Sequence, residues 1–182
     1  RLGLPADVQE RAYLCGLVHD IGKVGLPASL LLKDGPLTLD ERRQMQEHSA
    51  IGEAILARVE LYADVAKVVR HHHERYDGGG YPDQIAATTI PLLSRIISVA
   101  DAYNAMTSDR PYRDAMPSRV ARHRLAQAVE TQFDTNVVNA FEAILASQDE
   151  TYRMAKGLEF GKPTGAQELI PQPLTSAIAG AA

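Results

Sequence analysis

Residues 71–82 read His-His-His-Glu-Arg-Tyr-Asp-Gly-Gly-Gly-Tyr-Pro, a run that no helix or strand interior accommodates. Glycine loses more conformational freedom in a regular element than any other residue, and a proline removes a backbone donor. The run therefore forces a tight loop between two elements, with three adjacent imidazoles at its entrance. Any fold this chain adopts has to present a cluster of potential ligands at the mouth of that loop.

The segments on either side are helical by pattern. Val8, Ala12, Cys15 and His19 follow a 4-3-4 spacing, one face of a helix expected from residue 5 or 7 to 20. Gly22, Gly25 and Pro27 supply stop signals. Thr38 and Glu41 predict a capping box that opens a helix to about residue 58, with Met45, His48, Gly52, Ile55 and Val59 along one face. A shorter helix from 61 to about 73 delivers the histidines. Pro91 suits the first turn of an apolar helix over 92–107, interrupted by Asp101. Two amphipathic helices follow, at about 118–131 and 135–148, the last burying Val137, Phe141, Ile144 and Leu145. No segment sustains two-residue alternation, so the expected class is all-α. From about Gly157 the chain is rich in Gly, Pro and Ala without period, which predicts a domain over 1–156 and a disordered tail over 157–182.

Composition narrows the function. The 182 residues carry a formal charge of −4 and a pI near 5.9, which argues against a nucleic-acid polymer as partner. A small anionic substrate stays compatible, because a local arginine cluster can oppose the global sign. The single cysteine, Cys15, reads as a small buried hydrophobe in a reducing compartment, hence a cytoplasmic protein. No apolar run approaches the roughly 20 residues that span a bilayer. The sequence starts at Arg1 without a methionine and is expected to be a piece of a longer protein.

Polar residues stand on faces that the pattern marks as buried: His19-Asp20 at the end of the first helix, His48 on the second stripe, His72-His73 before the loop, and Asp101 between Ala100 and Ala102. An ionised aspartate in apolar surroundings is costly unless paired or coordinated. Four such positions together point to a metal centre. Imidazole and carboxylate without thiolate suit iron, manganese, zinc or cobalt. An Asp can bridge two ions through its two oxygens, and ions about 3.5–4 Å apart serve in-line phosphoester hydrolysis. Lys23, four residues after His19, either complements a helix end or contacts a phosphate oxygen. Arg110 and Arg113, beyond Asp101, offer guanidinium forks that match phosphate oxygens. Gly78, Gly79 and Gly80 allow close backbone approach, so that Tyr81 projects over a pocket and Pro82 fixes the exit.

These motifs resemble a known family. His19-Asp20-Ile21-Gly22-Lys23 is similar to the HD signature of metal-dependent phosphohydrolases. His72-His73-Glu74 followed by Gly80-Tyr81-Pro82 resembles the HD-GYP branch, and Ser98 to Tyr103 with Thr107 to Arg113 extends the likeness over about residues 1–146. The resemblance implies a helical domain with two or three iron or manganese ions that hydrolyses cyclic di-GMP to pGpG or on to GMP in bacterial signalling. By position His19, Asp20, His48, His72, His73 and Asp101 match metal ligands, with Asp20 as the bridge. Lys23 matches the lysine beside the scissile phosphate, Arg110 and Arg113 match substrate-phosphate contacts, and Tyr81 matches the tyrosine of the loop. His71 and His123 match no ligand. An upstream receiver or sensor domain and a homodimer are implied as partners.

Two departures stand out. The family's first ligand lies on a helix farther upstream than the 18 residues that precede His19 here, so that helix is expected to be missing from this sequence. Gln84-Ile85-Ala86-Ala87 stands where the family tends to carry glycines. The competing readings are another HD-type nucleotide phosphohydrolase, a regulatory module that binds the messenger or a protein without turnover, and a di-iron oxygenase on the same fold.

Overall fold

A computed structural model describes residues 1–109 and 113–154. Within them the chain is helical, as the pattern predicts, with an isolated bridge between Val129 and Phe133. The helices are α1 (Ala6–Val18), α2 (Ala28–Leu31), α3 (Leu39–Gln46), α4 (His48–Leu56), α5 (Ala63–Arg70), α6 (Leu92–Thr107), α7 (Ser118–Gln127), α8 (Thr135–Ala146) and α9 (Glu150–Arg153). Short 3-10 turns occupy Ile21–Gly25, Glu60–Tyr62 and Ala87–Thr89. None of the described helices is long and apolar enough to cross a membrane. The expected tail and Arg110 lie outside the described residues.

Helix α6 is the spine. One side of it, Val99 and Tyr103, packs with Ala121 and Leu125 of α7, with Phe133, and with Val137, Val138 and Leu145 of α8. Its other side, Leu93 and Ile97, packs with Cys15 of α1 and Val65, Val68 and Val69 of α5. Asp101 belongs to this central helix, so it is held by both clusters. The Cys15 thiol is fully buried and free, and burial pushes it up to about 11, as befits an inert core residue.

The capping box forms: the Thr38 hydroxyl accepts from the Glu41 amide and the Glu41 carboxylate accepts from the Thr38 amide. The helix it opens departs from expectation, because it breaks at Glu47 before restarting as α4. The cause is competition from side chains. The Met45 carbonyl accepts from His48 Nδ1 at 2.8 Å, and the Gln46 carbonyl accepts from the Ser49 hydroxyl at 3.1 Å. The single stripe is lost with the break: His48, Ser49 and Gly52 are buried, whereas Ile55 and Val59 are exposed.

The next helix also stops early, at Arg70 rather than 73. His71 Nδ1 and His72 Nδ1 bond the carbonyls of Lys67 and Val69, which no longer have amide partners ahead of them. Helix α1 likewise ends at Val18, and α7 and α8 end at Gln127 and Ala146. On α8 Val137 and Leu145 are buried while Phe141 and Ile144 are half-buried, with Phe141 edge-on to Tyr103.

The tightest packing lies where the Ile21–Gly25 turn crosses α4. A Cβ on Gly22 would sit 1.8 Å from the His48 carbonyl oxygen and 2.5 Å from the Gly52 amide nitrogen. Backbone atoms cannot yield as a flexible side chain does. Gly22→Ala is therefore expected to lower unfolding free energy by at least about 1–3 kcal/mol, the usual cost of overpacking. Gly16→Ala is the control, since its Cβ would meet only Ile97 Cδ1 at 3.7 Å. That change should be neutral or stabilising. Urea midpoints at unchanged m-value measure both.

Candidate metal centre

Three histidines are oriented by a shared local device. His19 Nδ1 lies 2.7 Å from the Gly16 carbonyl, His48 Nδ1 2.8 Å from that of Met45, and His72 Nδ1 2.6 Å from that of Val69. In every case the partner is the residue three positions earlier, at the end of a helical turn. A carbonyl only accepts, so Nδ1 must carry the hydrogen, and in the neutral ring Nε2 is left as a lone pair. This is the arrangement that orients metal-binding imidazoles.

The free nitrogens converge. His48 Nε2 and His72 Nε2 are 3.4 Å apart. One nitrogen from each of His48, His72 and His73 falls within 4.8 Å of the others. His73 lies against His72, with ring centroids 4.0 Å apart. Asp20 borders the group through Oδ1, 3.5 Å from His48 Nε2, and through Oδ2, 3.5 Å from His19 Nε2. Asp101 Oδ1 stands 3.8 Å from the same His19 nitrogen. The six residues singled out as ligands thus form one continuous cluster, drawn from the end of α1, the start of α4, the turn after α5, and α6.

The electrostatics suit a cation. Burial lowers His48; it takes His72 down to about 4, and His73 to about 2 with help from neighbouring imidazoles. All three are therefore neutral at pH 7, the form that ligates. Burial raises the Asp20 carboxyl, but the hydrogen bond and charge of Lys23, with the charges of His19 and His48, outweigh it, so the group sits below the ordinary range and is ionised. Two lone pairs facing one another at 3.4 Å, beside an anionic carboxylate, are a donor set that a divalent ion fits.

Around the cluster, Lys23 Nζ donates to Asp20 Oδ2 at 2.6 Å. The Tyr81 ring stacks on His73 at 4.9 Å, and the Tyr81 amide donates to the His73 carbonyl at 3.3 Å. Arg113 is exposed and donates to the Ala105 carbonyl near the end of α6, with no contact to the histidines. His71 turns away and faces Asp83 at 2.9 Å, and His123 is exposed. Pattern reading passed over Glu74, whose carboxylate is buried under the glycine loop and accepts from the Asp83 amide at 2.7 Å. Its signal was an acidic residue directly beside the histidine run.

Residues 1–137 match a family model described as HD domain. A cyclic di-GMP phosphodiesterase of Pseudomonas aeruginosa is 41% identical over 142 residues, covering 78% of this chain and 34% of that protein. A 3′3′-cGAMP-specific phosphodiesterase of Vibrio cholerae is 36% identical over 158 residues, covering 85% of this chain and 35% of its own length. The chain thus spans about a third of the curated relatives it matches. The crystal structure of another cyclic GMP-AMP phosphodiesterase of Vibrio cholerae shares the fold, with a TM-score of 0.58 at 21% identity over 80% of this chain and 40% of that one.

Titration with Mn²⁺, followed by calorimetry, tests the cluster directly. Losing an outer partner of a metal ligand typically costs roughly 10–100-fold in affinity. His48→Ala and His72→Ala, which remove candidate ligand nitrogens themselves, should cost at least that much. His123→Ala should bind as the parent does.

Proposed function

This chain belongs to the HD domain family, in its HD-GYP branch, and on that premise we propose that it is a metal-dependent phosphodiesterase acting on a cyclic dinucleotide. The substrate we assign is cyclic di-GMP, cleaved to pGpG or further to GMP. The observation that carries the reading is the convergence of neutral imidazoles on the Asp20 carboxylate, with a lysine and a tyrosine at its rim.

His19, Asp20, His48, His72, His73 and Asp101 would hold two or three ions, iron or manganese by the resemblance, and Asp20 would serve as the carboxylate shared between them. Such ions supply Lewis acidity toward phosphoryl oxygens and ease deprotonation of water near neutral pH. The remaining work falls to the chain's own groups. Lys23, paired with Asp20 and half exposed, is assigned to the scissile phosphate, where its ammonium steadies the leaving 3′ oxygen. Burial raises the Tyr81 phenol, helped by the charges of Asp101 and Asp20, so it stays protonated and offers a donor to the phosphate. Arg113 and Arg110 complete the assignment as phosphate contacts, Arg113 by releasing the Ala105 carbonyl. Residues 1–156 form the catalytic domain in this reading, regulated by an upstream receiver or sensor, in a cytoplasmic protein that acts as a homodimer.

The relatives' names divide between two dinucleotides, so the test uses both. Full-length protein loaded anaerobically with Fe²⁺ or Mn²⁺ is expected to hydrolyse cyclic di-GMP faster than 3′3′-cGAMP, with products resolved by chromatography. Lys23→Met should lower kcat by about 10²–10³-fold, the usual cost of one transition-state donor. Asp20→Ala should abolish turnover. A fully metallated wild type that cleaves neither dinucleotide yet binds one would replace the enzymatic reading with that of a binding module.

A further inference from the structure

The loop that carries Tyr81 is fastened at a point none of the site assignments uses. Asp83, two residues on, receives a bidentate fork from Arg70, with Nε to Oδ2 at 2.6 Å and Nη2 to Oδ1 at 2.7 Å. The third guanidinium nitrogen, Nη1, donates to Glu53 Oε2 of α4 at 2.7 Å. His71 Nε2 lies 2.9 Å from Asp83 Oδ2. From the other side, the Asp83 amide donates to Glu74 Oε1 at 2.7 Å. Glu74 is 3% exposed, and its Oε2 has no partner. A buried carboxylate with one unpartnered oxygen is costly, so its single directed bond has a local purpose.

We infer that Asp83, gripped by Arg70 through its carboxylate and by Glu74 through its amide, is the anchor that fixes Tyr81 over the histidine cluster. Arg70, Asp83 and Glu74 are then positioning residues for Tyr81. A forked guanidinium–carboxylate pair sets the plane of both groups, which a lysine, acting as a point charge, does not. The same fork reaches α4, the helix that presents His48, so loop and ligand share one reference. The loop also has no slack beneath it: a Cβ on Gly80 would lie 2.3 Å from the Arg75 amide nitrogen. Because Arg70 and Asp83 are both partly exposed, the pair contributes little to global stability. Its effect is local.

Amide hydrogen exchange in the full-length protein reads the anchor without reference to turnover. In Arg70→Met, and in Asp83→Ala as a second variant, the Tyr81 amide should exchange at least about tenfold faster while α4 and α5 keep their protection. Unchanged protection at Tyr81 in both variants overturns the inference. The effect on catalysis rests on the phosphodiesterase reading and is measured in a double-mutant cycle. Asp83→Ala should lower kcat/KM by about tenfold or more in the parent, since small misplacements of a positioned group are expensive. In a Tyr81→Ala background the same change should be nearly silent. Equal losses in both backgrounds would show that Asp83 does not act through Tyr81. Absence of turnover in the parent would remove the phosphodiesterase reading, and exchange at Tyr81 would still decide the anchor.

Discussion

The backbone crossing of Gly22 over the first turn of α4 sets the spacing of everything at the site. Packed helices ordinarily stand about 8–10 Å apart because side chains separate them. Here the space that a Cβ would fill is occupied by the His48 carbonyl, 1.8 Å from where that atom would lie. On the facing surface Gly52 leaves room in turn, with Val69 Cγ1 only 2.8 Å from its own absent Cβ. Two bare positions thus let the chain just after His19 and Asp20 lie directly on the helix that begins with His48, while α5 closes from behind. The 3.5 Å between Asp20 Oδ1 and His48 Nε2 follows from that contact.

Once the backbones are close, the imidazoles still need direction, and they obtain it from helix ends. Terminal carbonyls of a helix lack amide partners. His19, His48 and His72 each satisfy the carbonyl three residues back with Nδ1, which aims Nε2 inward. The capping and the chemistry are one set of hydrogen bonds. It follows that the ends of α1 and α5 and the break before α4 are tied to the candidate ligands, whereas the packed clusters around α6 adjoin only Asp101 among them.

That coupling explains which features were legible in the sequence. The helix over 92–107, the capping box at Thr38 and the buried face of α1 rest on periodicity and local chemistry, and the structure reproduces them. The break at Glu47 does not show in periodicity, because Glu47 keeps helical dihedrals of −64° and −19° and only the carbonyl partners change. Ile55 and Val59 leave the buried stripe for that reason. The ligand candidates stood out because His and Asp are conspicuous on apolar faces, and the structure gathers those six together. Arg70 and Asp83 gave no such signal. A pair 13 residues apart becomes a contact only after the loop has folded back.

The chemistry open to Tyr81 makes its placement matter more than its titration. Half-buried near Asp20 and Asp101, the phenol is held above its ordinary range, so it remains a donor across the physiological window. A group that does not change charge cannot act as a base at neutral pH. In the proposed role it offers the phosphate one directed hydrogen bond, whose worth depends on angle and distance. Stacking on His73 fixes the plane of its ring, and a ring plane alone leaves the hydroxyl free to swing along the face. The backbone must supply the remaining constraint. In this chain it does so from both flanks of Pro82, through the Tyr81 amide on the His73 carbonyl and the Asp83 amide on Glu74. In the proposed role, a phenol held in this way would favour one phosphate geometry over others, a selectivity that a protonation switch at this position could not provide.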